Sequence, residues 1–196
     1  MANSALLLIG FQNDYFSKQG ILNPLINESS HITGVLDNTF KLIESHGDKF
    51  KAIISTPICF TNDYSELINP VGILSAIKEA GAFKEGTFGA QEIDQIKALS
   101  HIITTIPGKR GLNAFSNTKL ENFLRKLNID HIVLSGTVTS ICIDSTGRSA
   151  HEKGFNVTVL TDCTSSRTPF EQQFYCENVF PLYANVIDSH DVIIKL

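Results

Sequence analysis

One cysteine of this 196-residue chain stands where a polypeptide can make a thiol reactive. In the stretch Leu134 to Asp162 a strand runs into a tight turn at Gly136, and Cys142 then falls in the first turn of the helix that follows. Unpaired N–H groups and the positive end of the helix dipole favour thiolate over thiol there, and the same donors can hold a developing oxyanion. Such a thiolate can attack a carbonyl or comparable electrophilic carbon. The pattern also suits a small buried hydrophobe, since cysteines often pack that way, and local sequence does not separate the two readings.

The other reactive side chains are scattered. Cys59, Cys163 and Cys176 form no CxxC pair with each other or with Cys142, which suggests neither a zinc site nor a disulfide framework. The default compartment is a reducing cytoplasm, with Cys163 and Cys176 as inert packing residues. Among His31, His46, His101, His131, His151 and His190 there is no HxH or HxxxH spacing, so solvated positions are expected and no metal is predicted. Asp162, at the end of a strand, is read as tying down a loop. Lys109 lies in Pro-Gly-Lys-Arg-Gly-Leu-Asn-Ala-Phe; solvent is the commonest place for a lysine, and its neighbour Arg110 is read as a surface or scaffold charge.

Positioning Cys142 is the work of an alternating pattern. Short apolar runs at Ala5–Ile9, Lys51–Thr56, His101–Ile106, His131–Ser135, Asn156–Leu160 and Ala184–Ile187 read as buried parallel strands. Helices are predicted at Ile32–His46, Glu92–Leu99, Thr118–Leu127, Ser140–Lys153 and Phe170–Val179, giving βαβ units around one sheet. Thr118 and Glu121 spell a capping box, and Gly154 sits where the helix from Ser140 needs a left-handed end. Phe60–Gly89, with Pro70 and several glycines, reads as an excursion over the sheet edge with a brief helix signal at Ile73–Ala80.

Bulk composition bounds the classes. With 42% hydrophobic and 18% charged residues and no apolar run of membrane length, a globular chain is expected, read as a single domain over residues 1–196. A chain of this size can bury roughly 70% of its unfolded surface. The opening residues lack a basic flank and read as a first strand rather than a signal peptide. A net charge of −4 without a Lys/Arg cluster disfavours nucleic acid.

Gly136 to Ile143 (GTVTSICI), followed by Ser145-Thr146 and Arg148-Ser149-Ala150, resembles the nucleophile segment of isochorismatase-like hydrolases, which include nicotinamidases and carbamoylsarcosine amidohydrolases. Lys109 to Phe115 with Thr118 and Leu120 resembles that family's lysine segment. Leu6 to Phe16 resembles its first strand and loop, and Gly86-Thr87 with Gly89-Ala90 a further turn. The likeness runs from Ala5 to about Val192.

The resemblance implies a three-layer α/β/α fold with a mainly parallel six-stranded sheet in the order 3-2-1-4-5-6 and a site at the switch point between strands 1 and 4. It implies Cys142 as nucleophile, Lys109 as the cation beside it, and a cis peptide before Val138 that aims the N–H groups of Val138 and Cys142 at one oxyanion. From their residue type alone, Tyr15, Phe60 and Phe115 are read as walls of an apolar pocket, although aromatics near loops pack into cores at least as often. The implied reaction is hydrolysis of a small amide or ureide by a homo-oligomer, dimer or tetramer, with no cofactor and no membrane partner. The Asp-x-His metal pair of nicotinamidase-like members is absent, because Thr56-Pro57-Ile58-Cys59 stands there.

One departure bears on turnover. Directly before Phe11-Gln12-Asn13-Asp14 the family places an acidic residue, and this chain has Gly10. The missing carboxylate would take the thiol proton and deliver it to the leaving group, worth about 10² to 10⁴ in rate. Asp14 and Glu85 are the substitutes in view, although Asn13 and Asp14 more naturally stabilise a turn. Three explanations stand: an introduced inactivating change, a non-catalytic ligand-binding or scaffold protein, or a weak hydrolase relying on Lys109, the helix dipole and water. A redox sensor built on Cys142 is a further reading that would need a second thiol nearby. If the pocket has not closed over position 10, replacing Gly10 by Asp is expected to raise amide hydrolysis.

Overall fold

The computed structural model describes residues 3–192, so the single-domain reading over 1–196 extends beyond the described residues at both ends. Strands β1 (Ser4–Ile9), β2 (Ala52–Thr56), β3 (Ile103–Thr105), β4 (His131–Thr137), β5 (Asn156–Ser165) and β6 (Asn185–Ile187) form one sheet in the order β3-β2-β1-β4-β5-β6. Every pairing is parallel, and a one-turn helix, α1 (Asn13–Phe16), follows β1.

The sheet is covered on both faces, which its apolar runs require. Because side chains alternate along a strand, Ala5, Leu7 and Ile9 of β1 join Leu134 and Val159 in one core, while Leu6 and Leu8 join Val133 and Leu160 in the other. Helices α6 (Leu120–Lys126) and α7 (Asp144–Glu152) seal the first through Leu120, Leu124 and Ala150. Helices α3 (Val35–His46) and α5 (Asp94–Ala98) seal the second through Leu42, Ile43 and Ile96.

Several expected boundaries change for local reasons. The helix predicted over Ile32–His46 is two: α2 (Asn23–Thr33), opened by Pro24 in its first turn, and α3, divided by Gly34 in the left-handed conformation. The capping box at Thr118–Glu121 does not form. Thr118 sits before the helix, donating to the Ala114 carbonyl, and Glu121 turns to Lys153 and Arg125. The cap geometry appears instead at α8 (Pro169–Phe174), where the Thr168 hydroxyl accepts from the Glu171 N–H at 3.1 Å. Gly154 is left-handed as expected, with φ +83°.

The excursion folds back rather than skirting the sheet. It carries α4 (Ile73–Ala80), and its Phe60, Tyr64, Ile77 and Phe83 pack with Tyr15, Ile58 and Val138, residues that follow β1, β2 and β4. It therefore caps the carboxyl ends of the three central strands.

Candidate active site

The chain leaves β1 toward β2 and β3 and returns on the other side at β4, so the carboxyl ends of β1 and β4 lie side by side, with Ile9 opposite Gly136. A crevice at this switch point is where open α/β sheets bind ligands. Glycine is needed at position 136, because a Cβ there would overlap the Ile9 carbonyl oxygen.

Beyond Gly136 the peptide Thr137–Val138 is cis, as the resemblance implies. A π-helical turn, Thr139–Ile143, then delivers Cys142 and runs directly into α7. The Val138 carbonyl opens this turn by accepting the N–H groups of Ile141 and Ile143 at 3.0 and 3.2 Å. Cys142 thus stands two residues before α7, set on a wider coil than the ordinary helix expected from sequence. The turn is braced from behind: the Thr139 hydroxyl donates to Gln172 at 2.6 Å, and Ser140 reaches Glu171 through Ser166.

Lys109 arrives from the opposite wall. A short parallel bridge pairs it with Ile58 just past β2, and its carbonyl accepts the Cys59 N–H at 3.1 Å. Its side chain is only 1% exposed, and its Nζ donates to the Cys142 sulfur at 3.5 Å. The solvated place that is commonest for a lysine does not apply here. Arg110, next in sequence, is exposed and ion-paired with Glu66.

Gly10 ends the segment facing them, with φ +75°. A Cβ there would lie 2.6 Å from the Thr137 carbonyl oxygen and 3.4 Å from the Tyr15 ring, so the space beside the nucleophile turn has closed over position 10. The following polar run holds the excursion in place. The Gln12 amide donates to the carbonyls of Ile58 and Ala90 at 2.8 and 2.7 Å and accepts the Ile58 N–H. Asn13 donates to Phe88. Asp14 is buried and accepts the Phe83 N–H at 2.6 Å and the Ile21 N–H at 3.2 Å, with Gly89 packed against its carboxylate. Asp14 thus pins a distant loop through Phe83 and also the turn that follows its own segment through Ile21. Glu85 is exposed, and its charge acts on Cys59.

Tyr15 is buried against Phe83 with ring centroids 5.0 Å apart, in the same cluster as Phe60 and Val138. Burial first, then the charges at Cys142 and Asp14, push its hydroxyl well above the ordinary tyrosine range. Phe115 belongs to the core under α6 and stacks on Phe155 at 6.0 Å, away from that cluster. The bracing residues Gln12, Thr139, Gln172 and Glu171 were not singled out from sequence. A glutamine directly after an apolar strand was the available signal for the first, but the others need the tertiary fold to be seen.

Burial raises the Cys163 thiol strongly and takes Cys176 up to about 12. Cys59 is raised by burial and then by Glu85. Asp162 ties a loop as read, accepting the N–H and hydroxyl of Ser189 at 2.8 and 2.6 Å. His131 is half-buried rather than solvated, facing Thr158 at 2.9 Å, and burial lowers its pKa. Among the described residues no three His, Cys, Asp or Glu side chains converge on a point that could hold a metal ion.

The model of the isochorismatase domain matches residues 4–191. The chain belongs to the isochorismatase family. Ureidoacrylate amidohydrolase RutB from Cronobacter sakazakii is 27% identical over 198 residues, covering 94% of this chain and 84% of the relative. Nicotinamidase 3 from Arabidopsis thaliana is 25% identical over 163 residues, 83% of this chain and 73% of the relative. The crystal structure of a cysteine hydrolase from Pseudomonas syringae pv. phaseolicola 1448A superposes with a TM-score of 0.81 at 16% identity, over 98% of this chain and 92% of that one, a likeness of fold. Hydrolysis is thus the chemistry of this isochorismatase-family fold's named relatives.

Proposed function

We propose that this isochorismatase-family protein hydrolyses a small amide or ureide through a thioester on Cys142, with Lys109 as the cation beside the thiol. The observation that carries the reading is the 3.5 Å contact between the Lys109 ammonium nitrogen and the Cys142 sulfur, both side chains buried at the carboxyl end of the sheet. A nearby cation favours the nucleophilic thiolate, and burial of both side chains strengthens the effect. The names of RutB and nicotinamidase 3 support a C–N substrate. The backbone N–H groups of Val138 and Cys142 are proposed as oxyanion donors, and Tyr15 and Phe60 as the apolar wall.

The test is release of ammonia or amine from a panel of small amides and ureides, with mass detection of an acyl group on Cys142. Turnover that vanishes in Cys142→Ala is the expected result. Turnover that survives that substitution overturns the nucleophile assignment.

Gly10 favours a second reading, a ligand-binding protein of the same fold that has lost turnover. Equilibrium binding of panel members without acylation of Cys142 would select it.

A further inference from the structure

Lys109 is buried to 1% exposure, and among the described residues its side chain has one polar partner, the Cys142 sulfur. The carboxylates around the crevice are engaged elsewhere or lie outside it. Asp14 holds the N–H groups of Phe83 and Ile21, Glu66 pairs with Arg110, Glu92 binds the hydroxyls of Ser55 and Thr105, and Glu85 is exposed. Gly10 supplies none, and its backbone leaves no room for one. An ammonium buried without an anion is disfavoured, and the one group in contact with Lys109 that can become an anion is the Cys142 thiol. Ammonium with thiolate and amine with thiol hold the same protons and differ by one transfer across the 3.5 Å contact.

We propose that Lys109 carries the proton of the reaction in place of the absent carboxylate, so that Cys142 and Lys109 form a self-sufficient two-residue catalytic unit. The inference rests on the hydrolase reading above. The Cys142 thiol gives its proton to the Lys109 amine, and the thiolate adds to the carbonyl carbon, forming the C–S bond and an oxyanion. The Lys109 ammonium then protonates the leaving nitrogen as the C–N bond breaks, leaving a thioester and a neutral amine. Lys109 next takes a proton from water, the hydroxide adds to the thioester carbonyl, and the thiolate departs with the carboxylic acid formed. Ammonium and thiolate are restored, and the sum is amide plus water giving acid plus amine. A lysine is suited to this because it can lose its proton when buried; a guanidinium cannot.

The experiment uses Lys109→Ala, which opens space beside Cys142, with ethylamine or guanidine added. Two readouts are followed: alkylation of Cys142 by iodoacetamide, mapped by peptide mass, and hydrolysis of p-nitroacetanilide. Expected are losses of about 10² to 10⁴ in both rates, with ethylamine recovering at least about tenfold and guanidine none. Equal recovery by guanidine, or no loss in the variant, overturns the proposal and leaves Lys109 a fixed charge or a bystander. If Lys109→Ala does not fold by circular dichroism, Lys109→Arg decides. It keeps the charge, and amide turnover within about tenfold of the parent overturns the proposal, whereas a loss of about 10² or more supports it. Alkylation needs no substrate, so the two readings fail separately. Amine-specific rescue in a protein that hydrolyses no amide retains the relay and overturns the hydrolase reading, and amide turnover with rescue by guanidine does the reverse.

Discussion

Gly10 is held at φ +75° with the Thr137 carbonyl oxygen 2.6 Å from where a Cβ would sit, and this reverses what the sequence suggests about restoring a carboxylate. An aspartate there has to move the backbone of β1's end or of the nucleophile turn before its carboxylate can act. Gly10→Asp is therefore expected to lower stability by about 1 to 3 kcal/mol, the usual cost of a residue held in an unfavourable backbone region, and to give no gain in amide turnover. Urea unfolding with parallel amine-release assays checks this. An unchanged midpoint with turnover above the parent would mean that the crevice opens readily. The four thiols separate at the same scale. Burial raises Cys163 and Cys176, burial with Glu85 raises Cys59, and only Cys142 has an ammonium in contact. A limiting thiol reagent at neutral pH is expected to label Cys142 first, and peptide mapping that finds another cysteine ahead of it contradicts the site.

The π-helical turn is braced from the start of α8 and from Ser166 just before it, because Thr139 bonds to Gln172 and Ser140 reaches Glu171 through Ser166. Burial pushes the Glu171 carboxyl up, but hydrogen bonds from Arg167, Ser166 and Ser140 together outweigh it and hold the group at about 2. A folded-state pKa below the ordinary value of 4.5 gives stability that is present above that value and lost as pH falls toward about 2. Glu171→Ala is expected to unfold more easily than the parent at pH 6, with the difference shrinking through this acid window. Denaturant midpoints from pH 6 to pH 2 measure it, and a pH-independent difference would mean that Glu171 acts only through packing and its N-terminal position in α8. Strands were legible at this scale because a sheet buried on both faces demands unbroken apolar runs. The break at Gly34 and the failed box at Thr118 were not, since cap residues compete for partners that only the assembled chain supplies.

Across the whole molecule, the excursion over residues 60–89 and the polar run Gln12 to Asp14 form a clamp that closes the crevice above β1, β2 and β4. Chelator is expected to leave both the melting temperature and Cys142 alkylation unchanged, because the segment after β2 offers Thr56, Pro57, Ile58 and Cys59 instead of a metal-binding pair. Elemental analysis of untagged protein checks the point, and stoichiometric zinc or iron would contradict it. The sequence by itself determined the parallel sheet, through apolar runs alternating with helices, while the strand order and the approach of Lys109 to Cys142 were implied by the resemblance of its ordered motifs to one family. Only the tertiary structure decided that Lys109 is buried with a sulfur as its partner, that Asp14 is spent on a distant loop as well as its own turn, and that position 10 has closed. Each depends on which backbone atoms from remote segments occupy the space around a side chain, and local sequence carries no record of that space.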